Sequence, residues 1–409
     1  MKKILDYINS RRSEIVKLTK TLIEIPTQNP PGEHYEEMVR VIEKKCRAMG
    51  LSTKRFITPR AYLRKKGITT GSERINLIAD WDLGHKETIH ITCHYDVVPA
   101  TKNWDTHPFK AHINKDKITG RGAEDMKGTL CAAIFAVEAI KALNRKPGAN
   151  IQLSFCPDEE TGGETGFGWL VKNGLVKATA GISEGYSNNF ISIGNKGVYW
   201  FEVEVIGKSA HGSMPYKGIN AFEHAADLAQ EFKNLKAKIE KKKSRFMTKD
   251  SRDRFPTLMM GGEVLGGCKV NVVPEEVVFS VDRRLIPEET RETARRQVRE
   301  VIKKFCAKNP RVRIRINEKI CNSPCVSESR APVCRAMASA VKTVTGKDPK
   351  FAIMAGATDL RFLMQHGIPC VGYSARGGSR WHSDNEYISI KSIQNTAKIY
   401  CLTILSPLL

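Results

Sequence analysis

Aromatic residues are few, long apolar runs are missing, and acids are outnumbered by bases. Phe, Trp and Tyr make up 7% of the 409 residues, against 41% hydrophobic and 27% charged. That balance excludes collagen-like and disordered classes and fits a folded globular chain. The longest uninterrupted apolar stretch, Leu130 to Val137, falls far short of the roughly 18 residues a membrane-crossing helix needs, so no membrane partner is expected. The opening residues Met1-Lys2-Lys3-Ile4-Leu5-Asp6 reach an acid too early for a secretory leader, which makes a cytoplasmic location the expectation. The 11 cysteines are odd in number and mostly set among apolar neighbours, as at Cys93, Cys131, Cys156 and Cys370. They read as reduced, buried thiols and not as a disulfide framework. The Cys321/Cys325 pair lacks a second pair to complete a zinc site.

Lys and Arg total 66 against 44 Asp and Glu, a net charge of +22. Two segments hold most of it: Lys233 to Pro256 has ten basic and three acidic residues, and Arg283 to Arg315 has twelve and four. Such runs are usually solvated helix faces, although they also attract polycarboxylates or nucleic acid. A nucleic-acid partner is not expected, because the basic stretches lack interleaved aromatics for base stacking and match no nucleic-acid module.

At about 150 residues per domain the length allows two or three domains. Leu5, Ile8, Ile15, Leu18 and Leu22 recur at helical spacing over 5–24, before the breaker run Asn29-Pro30-Pro31-Gly32. A second helix is predicted over 34–49. Strands at 88–93 and 151–156 then alternate with a helix over 126–143, the pattern of an α/β layer with a mostly parallel sheet. From about 193 the pattern changes to strand 198–206, helix 219–235, strands 257–264 and 276–282, helix 289–306 and strand 311–316. That βαββαβ order is ferredoxin-like and reads as a separate inserted domain. Helices at 331–345, 358–366 and 390–405 and a strand at 369–373 resume the first pattern. The predicted organisation is a first catalytic part over 1–192, an inserted domain over 193–317 and a second catalytic part over 318–409.

Several polar residues fall just past predicted strand ends, where open α/β sheets bind ligands. His94 and Asp96 lie two apart, so Asp96 can orient the imidazole, although an HxD pair alone is often only structural. Gly120-Arg121-Gly122 with Asp125 precedes a helix. It lacks the spacing of a phosphate cradle, and Asp125 as a simple helix cap is the plain alternative. Asp158-Glu159-Glu160 follows the next strand; of two adjacent glutamates one can bind metal and the other act as general base. Together His94, Asp125, Glu160, Glu184 and His382 form a two-histidine, three-carboxylate set able to hold two divalent ions if one carboxylate bridges them. Gly181-Ile182-Ser183-Glu184-Gly185 also matches the GxSxG elbow of serine hydrolases, but that elbow needs a helix straight after the serine, and a strand-like segment follows here.

In order along nearly the whole chain, these motifs resemble the di-zinc family of succinyl-diaminopimelate desuccinylase, acetylornithine deacetylase, aminoacylase and glutamate carboxypeptidase. The resemblance rests on His94-Tyr95-Asp96, Gly120-Arg121-Gly122 with Asp125-Met126-Lys127-Gly128, and Asp158-Glu159-Glu160-Thr161-Gly162-Gly163. It continues through Gly207-Lys208-Ser209-Ala210-His211-Gly212, Asn271-Val272-Val273-Pro274, Gly356-Ala357-Thr358-Asp359 and His382 with Glu386. It implies a zinc-peptidase-like catalytic domain with a lid and dimerisation domain, and two zinc ions for which cobalt or manganese can substitute. Asp125 would bridge the ions, His94 and Glu184 completing one site and Glu160 and His382 the other. Glu159 would be the general base and Asp96 the residue that orients His94. His211, Asn271, Arg283 and Gly356 would contact the substrate, Arg283 by gripping its carboxylate. The implied substrate is an N-acyl amino acid or a short peptide, and the implied assembly is a homodimer through the lid. Glu184, where dipeptidases more often have aspartate, leans the reading toward deacylases and carboxypeptidases.

Overall fold

The computed structural model describes residues 1–378 and 380–407, and the chain divides into two units. The first comprises Met1–Gly194, Ser327–Phe351 and the residues from Thr358 onward; the second comprises Asn195–Val326 and Ala352–Ala357.

In the first unit the sheet runs Ser52–Ile57, Ile75–Trp81, Asn150–Cys156, Thr88–His94, Ala180–Ser183, Cys370–Gly372 and Phe190–Asn195. Its centre is parallel: Thr88–His94 pairs in parallel with both Asn150–Cys156 and Ala180–Ser183, and Ala180–Ser183 pairs in parallel with Cys370–Gly372. Register places the functional loops. His94 stands opposite Cys156, so His94–Asp96 and Asp158–Glu160 leave the sheet side by side. Ile182 stands opposite Ile91, which brings Glu184 out near the level of His94.

The helix Gly128–Ala142 is apolar on most sides, with Glu138 paired to Arg11 and Lys45, and is buried from Gly128 to Ile140, as expected for a helix enclosed by its neighbours. The long first helix predicted over 5–24 is two helices, Lys2–Ser10 and Arg12–Glu24. Near the break the Ser10 hydroxyl bonds back to the Tyr7 carbonyl at 2.8 Å, a local contact that competes with the helical ladder. The strands Ser52–Ile57 and Ile75–Trp81 were not predicted. Ser52–Ile57 lies at the sheet's edge, with no fully buried residue to mark a face.

The second unit follows the predicted βαββαβ order: Gly197–Ile206, Ala221–Ile239, Thr257–Gly266, Glu276–Leu285, Arg291–Lys308 and Arg313–Asn322. Its four strands are all antiparallel, with Glu276–Leu285 and Gly197–Ile206 central and Thr257–Gly266 and Arg313–Asn322 at the edges. Burial alternates with period two along Glu276–Leu285, the mark of a sheet covered on one face. Phe201, Val203 and Phe279 on the strands pack with Leu228, Phe232 and Val298 from the two helices. Each helix has a side-chain cap: Asn220 accepts from the amides of Phe222 and Glu223, and Thr290 accepts from that of Thr293. Both basic segments of the sequence fall in this unit.

Candidate metal centre

The carboxylate of Asp125 lies between two imidazoles. Its Oδ1 is 3.1 Å from His94 Nε2 and its Oδ2 is 3.6 Å from His382 Nε2. Glu184 Oε2 lies 3.9 Å from His94 Nε2, and Glu160 Oε2 lies 3.0 Å from His382 Nε2. Donor atoms of His94, Asp125 and Glu160 fall within 4.8 Å of one another, as do those of His94, Glu159 and Glu184. The structure therefore brings together all five residues of the two-histidine, three-carboxylate set, with Glu159 beside them.

Electrostatics make this cluster a cation site. Burial, followed by the charge of Glu184, pushes the Glu159 carboxyl well above the ordinary range. Burial likewise pushes Glu160 up to about 7, and among the described residues its buried Oε1 has no hydrogen-bond partner. Burial would raise Asp125 too, but the hydrogen bond to His94 and the positive charges of His94, Arg376 and His382 hold it well below that range. For His94 burial acts downward, and hydrogen bonds to Asp125 and Asp96 outweigh it and raise the imidazole well above its usual value. The hydrogen bond to Glu160 is the main influence that lifts His382 to about 9. Crowded carboxylates are costly to bury unless cations neutralise them. Imidazole and carboxylate donors with one carboxylate oxygen left over fit divalent metal ions.

Surrounding contacts fix these side chains. His94 Nδ1 is 3.0 Å from the main-chain oxygen of Asp96 and 3.5 Å from its carboxylate, so the carbonyl is the nearer acceptor. The Asp96 carboxylate instead accepts from Asn29 Nδ2 at 2.9 Å and from the amides of Glu159 and Glu160, both at 3.3 Å. Asn29 Nδ2 also reaches Asp158 Oδ1 at 2.9 Å, and Asp158 forms a buried ion pair with Arg74 at 3.0 Å. Asp158 and His382 both adopt left-handed backbone conformations (φ 68° and 62°), a strain that persists where surrounding contacts over-determine it. Past Glu160 the chain turns at Gly163 (φ 65°), where an added Cβ would meet Asp359 Oδ1 at 2.1 Å.

Two buried glutamates join the loops that carry Asp125 and His382. Glu386 accepts from Arg121 (2.8 Å) and from the amides of Gly122 (3.0 Å), Glu124 (2.8 Å) and Asp125 (3.1 Å). In return Glu124 accepts from the amides of Gly377 and Arg380, at 3.2 and 3.0 Å. Sequence reasoning did not find this exchange, nor the roles of Asn29 and Arg74. Asn29 stood in a run read only as a helix breaker, and nothing in the order of residues links Arg74 to Asp158.

The remaining predicted residues belong to the second unit. His211 and Asn271 are exposed neighbours there: Gly212 donates to the Asn271 carbonyl at 2.8 Å, and His211 Nδ1 lies 2.7 Å from Ser213 Oγ. Gly356 is exposed on a bend. Arg283 requires a correction: its side chain is 0% exposed and paired to Glu289 at 3.1 Å, so it has no open edge for a substrate carboxylate. Ser183 is buried and donates to the Thr92 carbonyl at 2.7 Å, and the strand Phe190–Asn195 comes after it, so the nucleophile-elbow reading fails.

Comparison with known proteins agrees with this arrangement. Residues 90–406 match the model of peptidase family M20/M25/M40. An uncharacterized metallohydrolase of Methanocaldococcus jannaschii is 28% identical over 95% of this chain and 98% of its own. A succinyl-diaminopimelate desuccinylase of a Nitratiruptor species is 23% identical over 95% and 98%. Among solved structures, the M20 family metallo-carboxypeptidase Sso-CP2 from Sulfolobus solfataricus superposes with a TM-score of 0.76 at 21% identity, covering 97% of this chain and 100% of that one. Human carnosine dipeptidase 1 gives 0.74 at 19% identity, covering 99% and 98%. With a matching family model over most of its length and a donor cluster built for metal, the chain belongs to peptidase family M20/M25/M40 and is a metallohydrolase.

Proposed function

We propose that this enzyme hydrolyses the amide bond of N-acyl amino acids, using two divalent ions, zinc in the first instance. The observation that carries the reading is Asp125 between His94 and His382, with Glu159 and Glu160 beside it. His94, Asp125 and Glu184 would hold one ion and Asp125, Glu160 and His382 the other. When bound, such ions supply Lewis acidity that activates water and polarises an amide carbonyl. Glu159 is the general base. Among the described residues no hydrogen-bond donor reaches its carboxylate, which leaves it free to take a proton from water and return it to the departing amine. Asp96 is a positioning residue that sets Glu159 and Glu160 through their amides.

Glu184 supports deacylase chemistry, and the 23% identical desuccinylase of the Nitratiruptor species supports an acyl amino acid as substrate. The second reading is carboxypeptidase or dipeptidase activity, suggested by the names of the superposing structures. His211, Asn271 and Gly356 are the proposed substrate contacts of the second unit. We also propose a homodimer through that unit, whose edge strand Thr257–Gly266 exposes Val264 and Leu265. No helix among the described residues is long and apolar enough to cross a membrane.

The test is amine release from N-succinyl, N-acetyl and N-formyl amino acids and short peptides, before and after chelation and after zinc is restored. Chelator-sensitive, zinc-restored cleavage of one acyl class supports the deacylase reading. Cleavage of the peptides alone moves the assignment to a peptidase, and zinc binding with the whole panel intact rejects both.

A further inference from the structure

Three arginines around the metal centre face a carboxylate. Arg74 pairs with Asp158 at 3.0 Å, Arg121 with Glu386 at 2.8 Å, and Arg361 lies 4.0 Å from Asp359. Arg376 is half-buried and, among the described residues, forms no ion pair. Its guanidinium is nevertheless held in place. Nη2 donates to the Gly185 carbonyl at 2.8 Å, and Cζ sits 4.6 Å from the centroid of the Trp381 ring. The backbone beneath is tied as well, since the Arg376 amide donates to Ser392 Oγ at 2.9 Å.

Gly185 follows the proposed ligand Glu184, and Trp381 precedes the proposed ligand His382. The guanidinium therefore lies where two ligand-bearing segments meet. A carbonyl and an aromatic face orient a cation without neutralising it. Arginine has five N–H donors in a planar fork, and among the described residues only the Gly185 carbonyl accepts from this one. A fixed fork of that kind matches a carboxylate with two parallel hydrogen bonds, and holding it ready lowers the ordering cost of binding.

We propose that Arg376 anchors a carboxylate of the substrate at the metal centre and makes the enzyme selective for linear amides that carry one. This rests on the hydrolase reading and takes over the role that burial denies to Arg283. The carboxylate can belong to the amino acid or to a dicarboxylic acyl group, and the substrates can tell these apart.

The test compares zinc-loaded wild type with Arg376→Gln and Arg376→Lys, after zinc content and thermal melting show that each variant is loaded and folded. Three substrates of one amino acid are used: the N-acetyl acid, the N-acetyl carboxamide and the N-succinyl carboxamide. For whichever source of carboxylate Arg376 grips, Arg376→Gln lowers the ratio of kcat/KM for the carboxylate form to that for the N-acetyl carboxamide by about 10- to 100-fold, mainly through KM, as expected for a lost charge-assisted hydrogen bond. Arg376→Lys recovers part of the loss. An unchanged ratio, or an equal fall on all three substrates, overturns the proposal. If wild type cleaves none of them, the deacylase reading fails on its own. Calorimetric titration of the zinc-loaded proteins with succinate then decides Arg376: affinity about 10-fold weaker in Arg376→Gln supports it, and equal affinity overturns it.

Discussion

The carboxylate of Glu386 accepts a hydrogen bond from the backbone N–H of Asp125, the residue that faces both histidines, at 3.1 Å. The same carboxylate holds the amides of Gly122 and Glu124 and the Arg121 guanidinium. Glu386 thus fixes the turn that aims Asp125 without touching the metal site itself. Groups that orient metal ligands typically contribute 10- to 100-fold in affinity or activity. Glu386→Gln keeps the shape but presents a donor to those amides, so zinc affinity measured by competition with a chromophoric chelator falls by about that factor. Unchanged affinity in a folded Glu386→Gln protein would show that the turn holds itself.

Glu159 is proposed to move protons and not to hold metal. Glu159→Gln therefore keeps the zinc content of wild type while kcat drops by about 10²- to 10⁴-fold, the usual contribution of a positioned general base. Metal analysis and steady-state kinetics on one preparation check both halves. Loss of zinc together with activity would make Glu159 a ligand instead.

His90 gives the fold a dependence on pH that is separate from the metal centre. It is fully buried, 2.9 Å from Gln152 Oε1 and 2.8 Å from Ser154 Oγ, and burial pushes its pKa down to about 4. In the unfolded chain an ordinary histidine titrates near 6.5. Between those values the unfolded state takes up a proton that the folded state excludes. The stabilisation is complete above pH ~6.5 and is lost as pH falls toward ~4, a swing of about 3 kcal/mol. Urea unfolding of wild type at about pH 7 and about pH 5 registers this loss, and His90→Gln shows a smaller one. Equal slopes in the two proteins would place the pH dependence elsewhere.

The edge strand Thr257–Gly266 exposes Val264 (60%) and Leu265 (67%) beside unpaired backbone groups. Soluble chains usually cover or charge such an edge. Sedimentation of wild type is expected to give a dimer, and the double substitution Val264→Lys with Leu265→Lys a monomer. A wild-type monomer at micromolar concentration would remove the homodimer from the proposal.

Much of the fold was legible before any coordinates. The βαββαβ order of the second unit follows from hydrophobic periods long enough to count, such as the alternation along Glu276–Leu285 and the helical spacing along Ala221–Ile239. One short element was not legible: Ala180–Ser183 has four residues, too few for a period, although the strand expected at 369–373 is present as Cys370–Gly372. The single helix expected over 5–24 is interrupted at Arg11, because a hydrophobic period shows which face is buried and not where the backbone ladder breaks.

The sequence by itself determined the chemistry, since histidines and carboxylates placed just past strand ends are matters of residue type and spacing. It determined the layer architecture for the same reason. Only the tertiary structure decided which groups face one another. Parallel register set His94 beside Glu184 across 90 residues of chain, and burial took Arg283 into an ion pair with Glu289 while leaving Arg376 without one among the described residues. Whether an arginine is neutralised or left open depends on packing between segments far apart in the chain, and no local pattern encodes that.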